Sequence, residues 1–253
     1  MSELQKRIGR IQRRESPRTI GFGAASREQP RAMLLAVRAT DAASARAALE
    51  AGADAVLVEA SDARAAAAVT NEVGKKACVG AKLPALDEAG ARTLRASNCD
   101  FAVSALETTA SAAMDTEHMG QVLAIADGID DTTLRALGPF GLDALYVEQK
   151  PGPMTLAGQL ALVRMASFAA SPLLVTIGRE AAVGELRVLR DAGAAGVVAP
   201  PGTSPAEIGA LIEALKQVPP PRKQGREGQD MALVPSRAAA AHDEDEEEED
   251  EGD

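Results

Sequence analysis

Between residues 19 and 217, the hydrophobic positions fall into eight short runs separated by amphipathic segments. The runs are rich in Val, Ile, Leu and Ala, and most are continuous, as strands are when both faces of a parallel sheet are covered. The intervening segments, such as "DAASARAALEAG" and "REAAVGELRVLRDAG", have apolar residues at helical spacing. The predicted strands are 32–38, 54–59, 77–82, 100–105, 121–127, 143–148, 172–178 and 195–200.

These strands start roughly 21 to 29 residues apart, and each is followed by a helical segment. Eight such units in about 200 residues match the smaller members of the (β/α)8 class. We therefore predict an α/β protein with a (β/α)8 TIM barrel over residues 19–217. An open doubly wound sheet is the alternative, although it would not require eight strands of similar spacing.

One phrase recurs where a helix passes into the next strand. It reads "ALEAGADAVLVEA" at 48–60 and returns at 94–105, 137–149 and 189–201. Each copy has a Gly or Asn that can adopt the left-handed conformation at a helix end. Asp54, Asp100 and Asp143 then stand at the start of a strand, on the bottom face of the barrel, where we expect them to serve stability rather than chemistry.

The two ends of the chain differ from the body. Residues 1–18 carry Leu4, Ile8 and Ile11 at helical spacing among basic residues, which predicts a basic amphipathic helix. We favour a helix that plugs the bottom of the barrel. The alternatives are contact with an anionic membrane surface and contact with the acidic tail of the chain itself. Residues 218–253 join a Pro-rich linker to an acidic tail and are predicted to be disordered.

Charge and composition exclude several classes of function. The net charge of −10 comes from the last eleven residues, since the remaining chain has 27 basic and 27 acidic residues. A neutral body without interleaved basic and aromatic residues disfavours nucleic-acid binding. Two histidines and two cysteines without ligand spacing disfavour a metal site. With neither a secretory signal nor a membrane span in the sequence, we expect a cytoplasmic protein.

Charged side chains close most of the predicted strands. Residues at these positions converge at the carboxyl end of a barrel, where (β/α)8 enzymes have their active sites. The polar residues at these positions are Arg38, Glu59, Lys82, Asp127 and Glu148, with Ser104 one position before the end of the fourth strand.

This rim predicts a polar pocket for proton transfer. We take Glu59, Asp127 and Glu148 as acid/base candidates and Lys82 as a group that polarises a carbonyl or acts as an amine nucleophile. Arg38 would bind an anionic part of the substrate, and Ser104 would also contact it. The alternative is a purely structural ion-pair network of Arg38, Glu59 and Lys82.

The seventh and eighth strands suggest a second contact with the substrate. Loops after these strands, together with a helix N-terminus, often bind phosphate in such barrels. The candidate residues here are Gly178, Arg179, Gly202, Thr203 and Ser204. The alternative is that these are ordinary loop and capping residues, with Ser204 as the N-cap of a helix whose first turn contains Pro205.

The body resembles the phosphate-binding TIM barrels, which include ribulose-phosphate-binding, thiamine phosphate synthase-like and FMN-linked barrels. The resemblance covers about residues 19–217 and rests on the "AGADAVLVE" phrase and on the glycine that closes the seventh strand. It implies a phosphorylated substrate or FMN near Gly178 and Gly202. The chain departs from the pattern at "TIGRE", where a double glycine is common, and at Pro200-Pro201, where a glycine followed by a small residue is usual.

We therefore expect a lyase or isomerase that acts on a small metabolite, with or without a phosphate group. An FMN-dependent oxidoreductase is one alternative. A non-catalytic barrel that serves as a binding or scaffold module through its charged termini is another. A homo-oligomer is compatible with each of these hypotheses.

Overall fold

Eight parallel strands pair in the order of the sequence, and the eighth pairs back with the first to close a barrel. The structure is a computed structural model, and it describes residues 1–13, 31–75, 77–126, 128–149 and 152–219. The (β/α)8 prediction is thereby confirmed, and the open sheet is excluded. The strands are β1 (Leu34–Ala39), β2 (Ala55–Glu59), β3 (Val79–Lys82), β4 (Phe101–Ala105), β5 (Gly120–Ile125), β6 (Ala144–Val147), β7 (Leu173–Thr176) and β8 (Ala194–Ala199).

Helices lie between the strands, and one further helix precedes the barrel. After β4, two short 3-10 turns, Leu106–Thr108 and Ser111–Ala113, take the place of an α-helix. The α-helices are α1 (Glu3–Arg13), α2 (Ala42–Glu50), α3 (Ala63–Val73), α4 (Glu88–Arg95), α5 (Asp131–Leu137), α6 (Leu156–Ala169), α7 (Val183–Asp191) and α8 (Pro205–Gln217).

Each strand contributes side chains alternately to two cores. In β1, Leu34 and Ala36 join the cluster inside the barrel, whereas Leu35 and Val37 join the cluster beneath the helices. Because both sides of the strand are buried in apolar surroundings, the sequence shows a continuous hydrophobic run. The same alternation decides which polar residues at the strand ends point into the mouth of the barrel.

Phe101 shows how a chain with few aromatic residues fills its interior. The ring is buried inside the barrel, and a Cβ atom built on Gly80 of the neighbouring strand would lie only 2.3 Å from it. Glycine at this position of β3 therefore leaves the room that the ring occupies.

The recurring helix-to-strand phrase uses its glycines as predicted. Gly52, Gly141 and Gly193 have φ angles of +99°, +65° and +94°, in the region that favours glycine. Asn98, in the second copy, does not have a positive φ, so the prediction is wrong there. Its backbone N–H instead donates to the side-chain oxygen of Asn71, which holds the chain in a different turn.

Helix α1 seals the amino end of the barrel. Leu4 is completely buried, and both Leu4 and Ile8 pack in the interior cluster, with Ile11 partly buried against it. The prediction of a plug is confirmed for the part of this segment that the structure describes. Residues 14–18 of the predicted helix, and all but Val218 and Pro219 of the predicted linker and tail, lie outside the described residues. In the described parts of the chain, no helix has the length and apolar character to cross a membrane.

The repeated aspartates hold this plug in place. Asp100 accepts hydrogen bonds from the backbone N–H groups of Glu3 (2.8 Å) and Leu4 (2.9 Å), so a carboxylate lies at the positive end of α1. Ser2 donates its hydroxyl to Asp143. These contacts give the recurring phrase a structural role at the amino end of the barrel.

Asp54 also accepts hydrogen bonds at the amino end of the barrel. Its carboxylate accepts from the backbone N–H of Leu35 at 2.7 Å and pairs with Arg31 at 2.6 Å, while Arg7 of α1 donates to its backbone carbonyl. All three aspartates are thus satisfied by donors from the N-terminal part of the chain.

We expect Leu4→Ala to lower the free energy of unfolding by about 2–5 kcal/mol, since it leaves a cavity at a fully buried position. Urea unfolding followed by circular dichroism would measure the loss. Leu160→Ala is the control, because Leu160 is 59% exposed on α6 and its truncation should change stability by less than about 0.5 kcal/mol. Equal losses in the two variants would contradict the role of α1 as a plug.

A second prediction concerns Asp143, where burial raises the pKa of the carboxyl and the charge of Asp100 raises it further. The folded protein therefore holds the proton of the Asp143 carboxyl more tightly than the unfolded chain does. The stability that this proton contributes is complete below the ordinary aspartate pKa of about 3.9, and it is lost as the pH rises through the raised pKa of the folded state. Asp143→Asn keeps the side chain neutral. Relative to the wild type, this variant should therefore gain stability between pH 4 and pH 7 in urea unfolding.

Asp130→Asn is the matched control for this pH dependence. A hydrogen bond from Thr133 lowers the pKa of Asp130, so its stabilising effect is present above the unfolded pKa and is lost as the pH falls through the folded one. The stability of this variant relative to the wild type should therefore change in the opposite direction. The same trend in both variants would overturn the assignment of a buried carboxyl to Asp143.

Candidate active site at the carboxyl end of the barrel

Three of the predicted residues lie side by side where neighbouring strands end. Arg38, Glu59 and Lys82 belong to β1, β2 and β3, and Glu59 is the direct ladder partner of Lys82. Each follows, by two positions, a residue that faces the inside of the barrel, so their side chains rise into the mouth. Glu148 immediately follows β6 and reaches the same opening from across the barrel.

The four side chains form a continuous chain of alternating charge. Arg38 Nη2 lies 2.6 Å from Glu59 Oε1, and Lys82 Nζ lies 3.5 Å from the same oxygen. Lys82 Nζ also forms an ion pair with Glu148 Oε1. The ion-pair arrangement considered from the sequence is therefore present and extends one residue further. Glu148 is its most accessible member, with 57% of the side chain exposed.

Tyr146 lies beneath this cluster, and the sequence analysis missed it. Its ring is fully buried inside the barrel, and Lys82 Nζ stands 5.2 Å from the ring centroid. Among the described residues, no group meets the full geometry of a hydrogen bond with its hydroxyl, although the carboxylate of Glu148 is near enough to raise its pKa, and Nε of Arg38 likewise has no partner of full geometry. Two polar groups with unused hydrogen-bonding capacity thus lie under the mouth.

The local charges decide which of these groups is ionised. The hydrogen bond from Lys82 holds the pKa of Glu148 below its usual value, and the charges of Lys82 and Arg38 act in the same direction against partial burial. Burial raises the pKa of Tyr146, an effect that Arg38 opposes and Glu148 reinforces. At neutral pH the mouth therefore contains an ionised Glu148 carboxylate close to a neutral Tyr146 phenol.

Two predicted residues do not join this cluster in the structure. Ser104 follows Val103, which faces the barrel interior, so Ser104 lies on the opposite side of β4, where its oxygen accepts from Thr109 Oγ1 at 2.7 Å. It therefore does not point into the mouth, and its assignment as a rim residue is corrected. Asp127 lies outside the described residues, and its role remains a prediction.

The residues after β7 and β8 use their polar groups within the protein. Arg179 Nη2 donates to the carbonyl of Pro201 at 3.1 Å, and the Thr203 hydroxyl donates to the carbonyl of Pro200 at 2.7 Å. Gly202 has a φ of +72°, and a Cβ atom there would lie 3.3 Å from Arg179 Nη2. Next to Gly178, by contrast, the structure leaves open space.

Ser204 is the N-cap of α8, as one of the two sequence interpretations proposed. Its hydroxyl accepts from the backbone N–H of Glu207 at 3.3 Å, while the carboxylate of Glu207 accepts from the backbone N–H of Ser204 at 2.6 Å. In this capping box, the carboxylate of Glu207 occupies the N-terminus of α8, where a bound phosphate would otherwise accept backbone hydrogen bonds. In this arrangement the residues do not fit the phosphate group of FMN or of a substrate.

Two cavities lie at opposite ends of the barrel. One, of about 410 Å³, adjoins Glu148 and extends along α6. The other, of about 510 Å³, is a more open groove beside Arg7 and Lys75, near the amino end, and it is remote from the charged cluster. Within the described ranges, no three His, Cys, Asp or Glu side chains are arranged to hold a metal ion.

Comparisons with known proteins identify the fold but no specific family. No family model and no curated protein matches this chain. Tryptophan synthase from M. tuberculosis aligns with 85% of this chain and 97% of its own, at 13% identity and a TM-score of 0.60. A mutant tryptophan synthase alpha-subunit from Pyrococcus furiosus aligns with 74% of this chain and 98% of its own, at 13% identity and a TM-score of 0.58.

A native KDPGal structure aligns with 73% of this chain and 95% of its own, at 19% identity and a TM-score of 0.55. At these identities the likeness establishes the barrel fold alone, in agreement with the fold of the superfamily that the sequence resembles.

For Tyr146→Phe we expect an unchanged or higher free energy of unfolding, with a gain of up to about 1–3 kcal/mol, because the variant removes a buried hydroxyl without a partner. Chemical denaturation would measure the change. Tyr146→Leu is the control that also removes the ring, and it should be destabilising because it leaves a cavity. A clear loss of stability in Tyr146→Phe would mean that the hydroxyl does have a partner.

Proposed function

We propose that this protein is a barrel enzyme of the lyase or isomerase type that uses acid/base chemistry on a small carbonyl metabolite. The observation that carries the proposal is the chain of alternating charges from Arg38 to Glu148 above the buried hydroxyl of Tyr146. A network of purely structural ion pairs does not require a buried phenol at the centre of the mouth, so the position of Tyr146 favours a site that binds a ligand.

Glu148 is the proposed general base. A glutamate is ordinarily ionised at neutral pH, and the hydrogen bond from Lys82 lowers the pKa of Glu148 further; the side chain is also exposed enough to meet a substrate. It would take a proton from the carbon next to the carbonyl, and the electron pair would move onto the carbonyl oxygen. The ammonium group of Lys82 would stabilise the negative charge on that oxygen as the substrate displaces Glu148 from it.

The fate of the electron pair distinguishes the two reaction types. If the carbon that loses its proton carries a hydroxyl group, the intermediate is an enediolate. The hydroxyl proton then moves to the original carbonyl oxygen, Glu148 returns its proton to the former carbonyl carbon, and the outcome is isomerisation. If the electron pair instead expels a leaving group from the adjacent carbon, the outcome is a lyase reaction. In both cases Glu59 would keep Arg38 and Lys82 oriented, and Arg38 would bind an anionic group of the substrate.

The proposed reaction does not require a phosphate group on the substrate. Arg179 and the backbone near Gly178 and Gly202 face the same end of the barrel, but Glu207 occupies the amide of Ser204. A phosphorylated substrate would have to displace this carboxylate. For the same reason we do not extend the proposal to an FMN-dependent reaction.

The proposal is tested by exchange of the protons next to the carbonyl with deuterium. Purified protein would be incubated in D2O with a panel of small oxo acids and ketoses, and the loss of the substrate C–H signal would be followed by NMR. We expect enzyme-dependent exchange for at least one compound, and a loss of about 100- to 10,000-fold in rate for Glu148→Gln, the range typical of a removed general base.

Glu88→Gln is the matched control, since Glu88 on α4 is also 57% exposed and ion-paired, in this case with Arg92. Its exchange rate should equal that of the wild type. Exchange that persists in Glu148→Gln would remove this residue from the mechanism. No exchange of any compound above the rate without protein would count against the enzyme itself and in favour of a structural ion-pair network.

A further inference from the structure

We infer that the cavity of about 410 Å³ beside Glu148 is a substrate site that receives an apolar substituent of the molecule whose carbonyl lies in the mouth. The inference rests on the proposed function, and it adds a class of substrate: oxo compounds with an aliphatic chain. The volume lies in the lower part of the range of roughly 300–1,000 Å³ that small-molecule sites occupy.

Apolar side chains from two layers form most of the cavity. Val147 of β6 points outward from the barrel towards α6, and Leu162 and Met165 of α6 meet it as almost completely buried residues. Met154, just before α6, lines the same space. Methionine side chains adapt to chains of different shape, which suits a site for a flexible aliphatic group.

Besides Glu148, the described lining contains the charged residue Arg164, which is already engaged within the protein. Its guanidinium pairs with Asp131 and donates to the carbonyl of Ile129 at 2.8 Å. An anion entering the cavity would therefore compete with an existing carboxylate, whereas an apolar chain would leave these contacts intact. The chemistry of the cavity favours the uncharged end of a substrate.

Glu148 connects the cavity with the mouth. Glu148 lines the cavity, and its side chain also pairs with Lys82, so one residue borders both spaces. A substrate with its carbonyl at Lys82 and its chain in the cavity would pass directly beside the proposed base. The position of the chain would thus orient the carbon from which the proton is removed.

The test uses a series of 2-oxoalkanoates from pyruvate to 2-oxohexanoate. These are small molecules that combine a carbonyl, an anionic group for Arg38 and an alkyl chain of increasing length. Dissociation constants would be measured by isothermal titration calorimetry at fixed pH and salt. We expect the affinity to rise about four-fold with each added methylene, the factor that corresponds to burial of one CH₂ group.

Two variants, one in α6 and one just before its first residue, change the space inside the cavity. Ala161→Leu places a larger side chain in the cavity and should abolish the gain with chain length, while the affinity for pyruvate stays the same. Met154→Ala enlarges the space and should move the preference towards longer chains. Ser167→Leu adds the same side chain on the exposed face of the helix and should leave the whole series unchanged.

Binding and deuterium exchange, measured on the same compounds, separate the two proposals. Binding that depends on chain length and is abolished by Ala161→Leu, without any exchange, would support the cavity and overturn the enzymatic function. Deuterium exchange together with an affinity that does not change with chain length would contradict the cavity as a substrate site, while the proposed enzymatic function would be retained. If no compound of the series binds, or if Ala161→Leu binds 2-oxohexanoate as the wild type does, the cavity is not a site for alkyl chains.

Discussion

Closure of the sheet is the constraint on which the rest of the structure depends. The ladder between β1 and β8, from Leu34 with Gly196 to Val37 with Ala199, joins the two ends of the strand array. Once the sheet is closed, every second side chain must point into a shared interior, and the carboxyl ends of all eight strands must surround one opening. Arg38 and Glu148, more than one hundred residues apart in sequence, meet through Glu59 and Lys82 only because of this closure.

The two ends of the barrel manage their charges in different ways. At the amino end, the aspartates of the recurring phrase find donors in α1 and in β1, so each carboxylate stabilises local structure. At the carboxyl end, the charged residues pair mainly with one another, and Tyr146 lies below them without a hydrogen-bond partner among the described residues. The amino end is therefore sealed by contacts within the protein, whereas the carboxyl end is where we propose a substrate site.

The sequence predicted the barrel and most of its rim because both depend on where hydrophobic runs begin and end. Arg38, Glu59, Lys82 and Glu148 each close such a run, and the end of a run fixes the end of a strand. The runs did not predict the position of Ser104 or the importance of Tyr146, because a run that is apolar on both sides does not reveal which residues face inward. Counting back two positions from Glu148 would have placed Tyr146 beneath it. The backbone N–H of Ser204 could donate either to Glu207 in a capping box or to a bound anion, and the residue types alone do not decide between the two. In the structure it donates to Glu207.

The composition gives this site an optical property of its own. The chain has one tyrosine and no tryptophan, and that tyrosine, Tyr146, is buried under the charged cluster with Lys82 above its ring. Near-ultraviolet absorption and intrinsic fluorescence of the folded protein therefore originate almost entirely from this one ring. The unmodified protein thus contains a single reporter chromophore at the floor of its mouth, and events at the rim can be followed spectroscopically without a label and without background from the remainder of the chain.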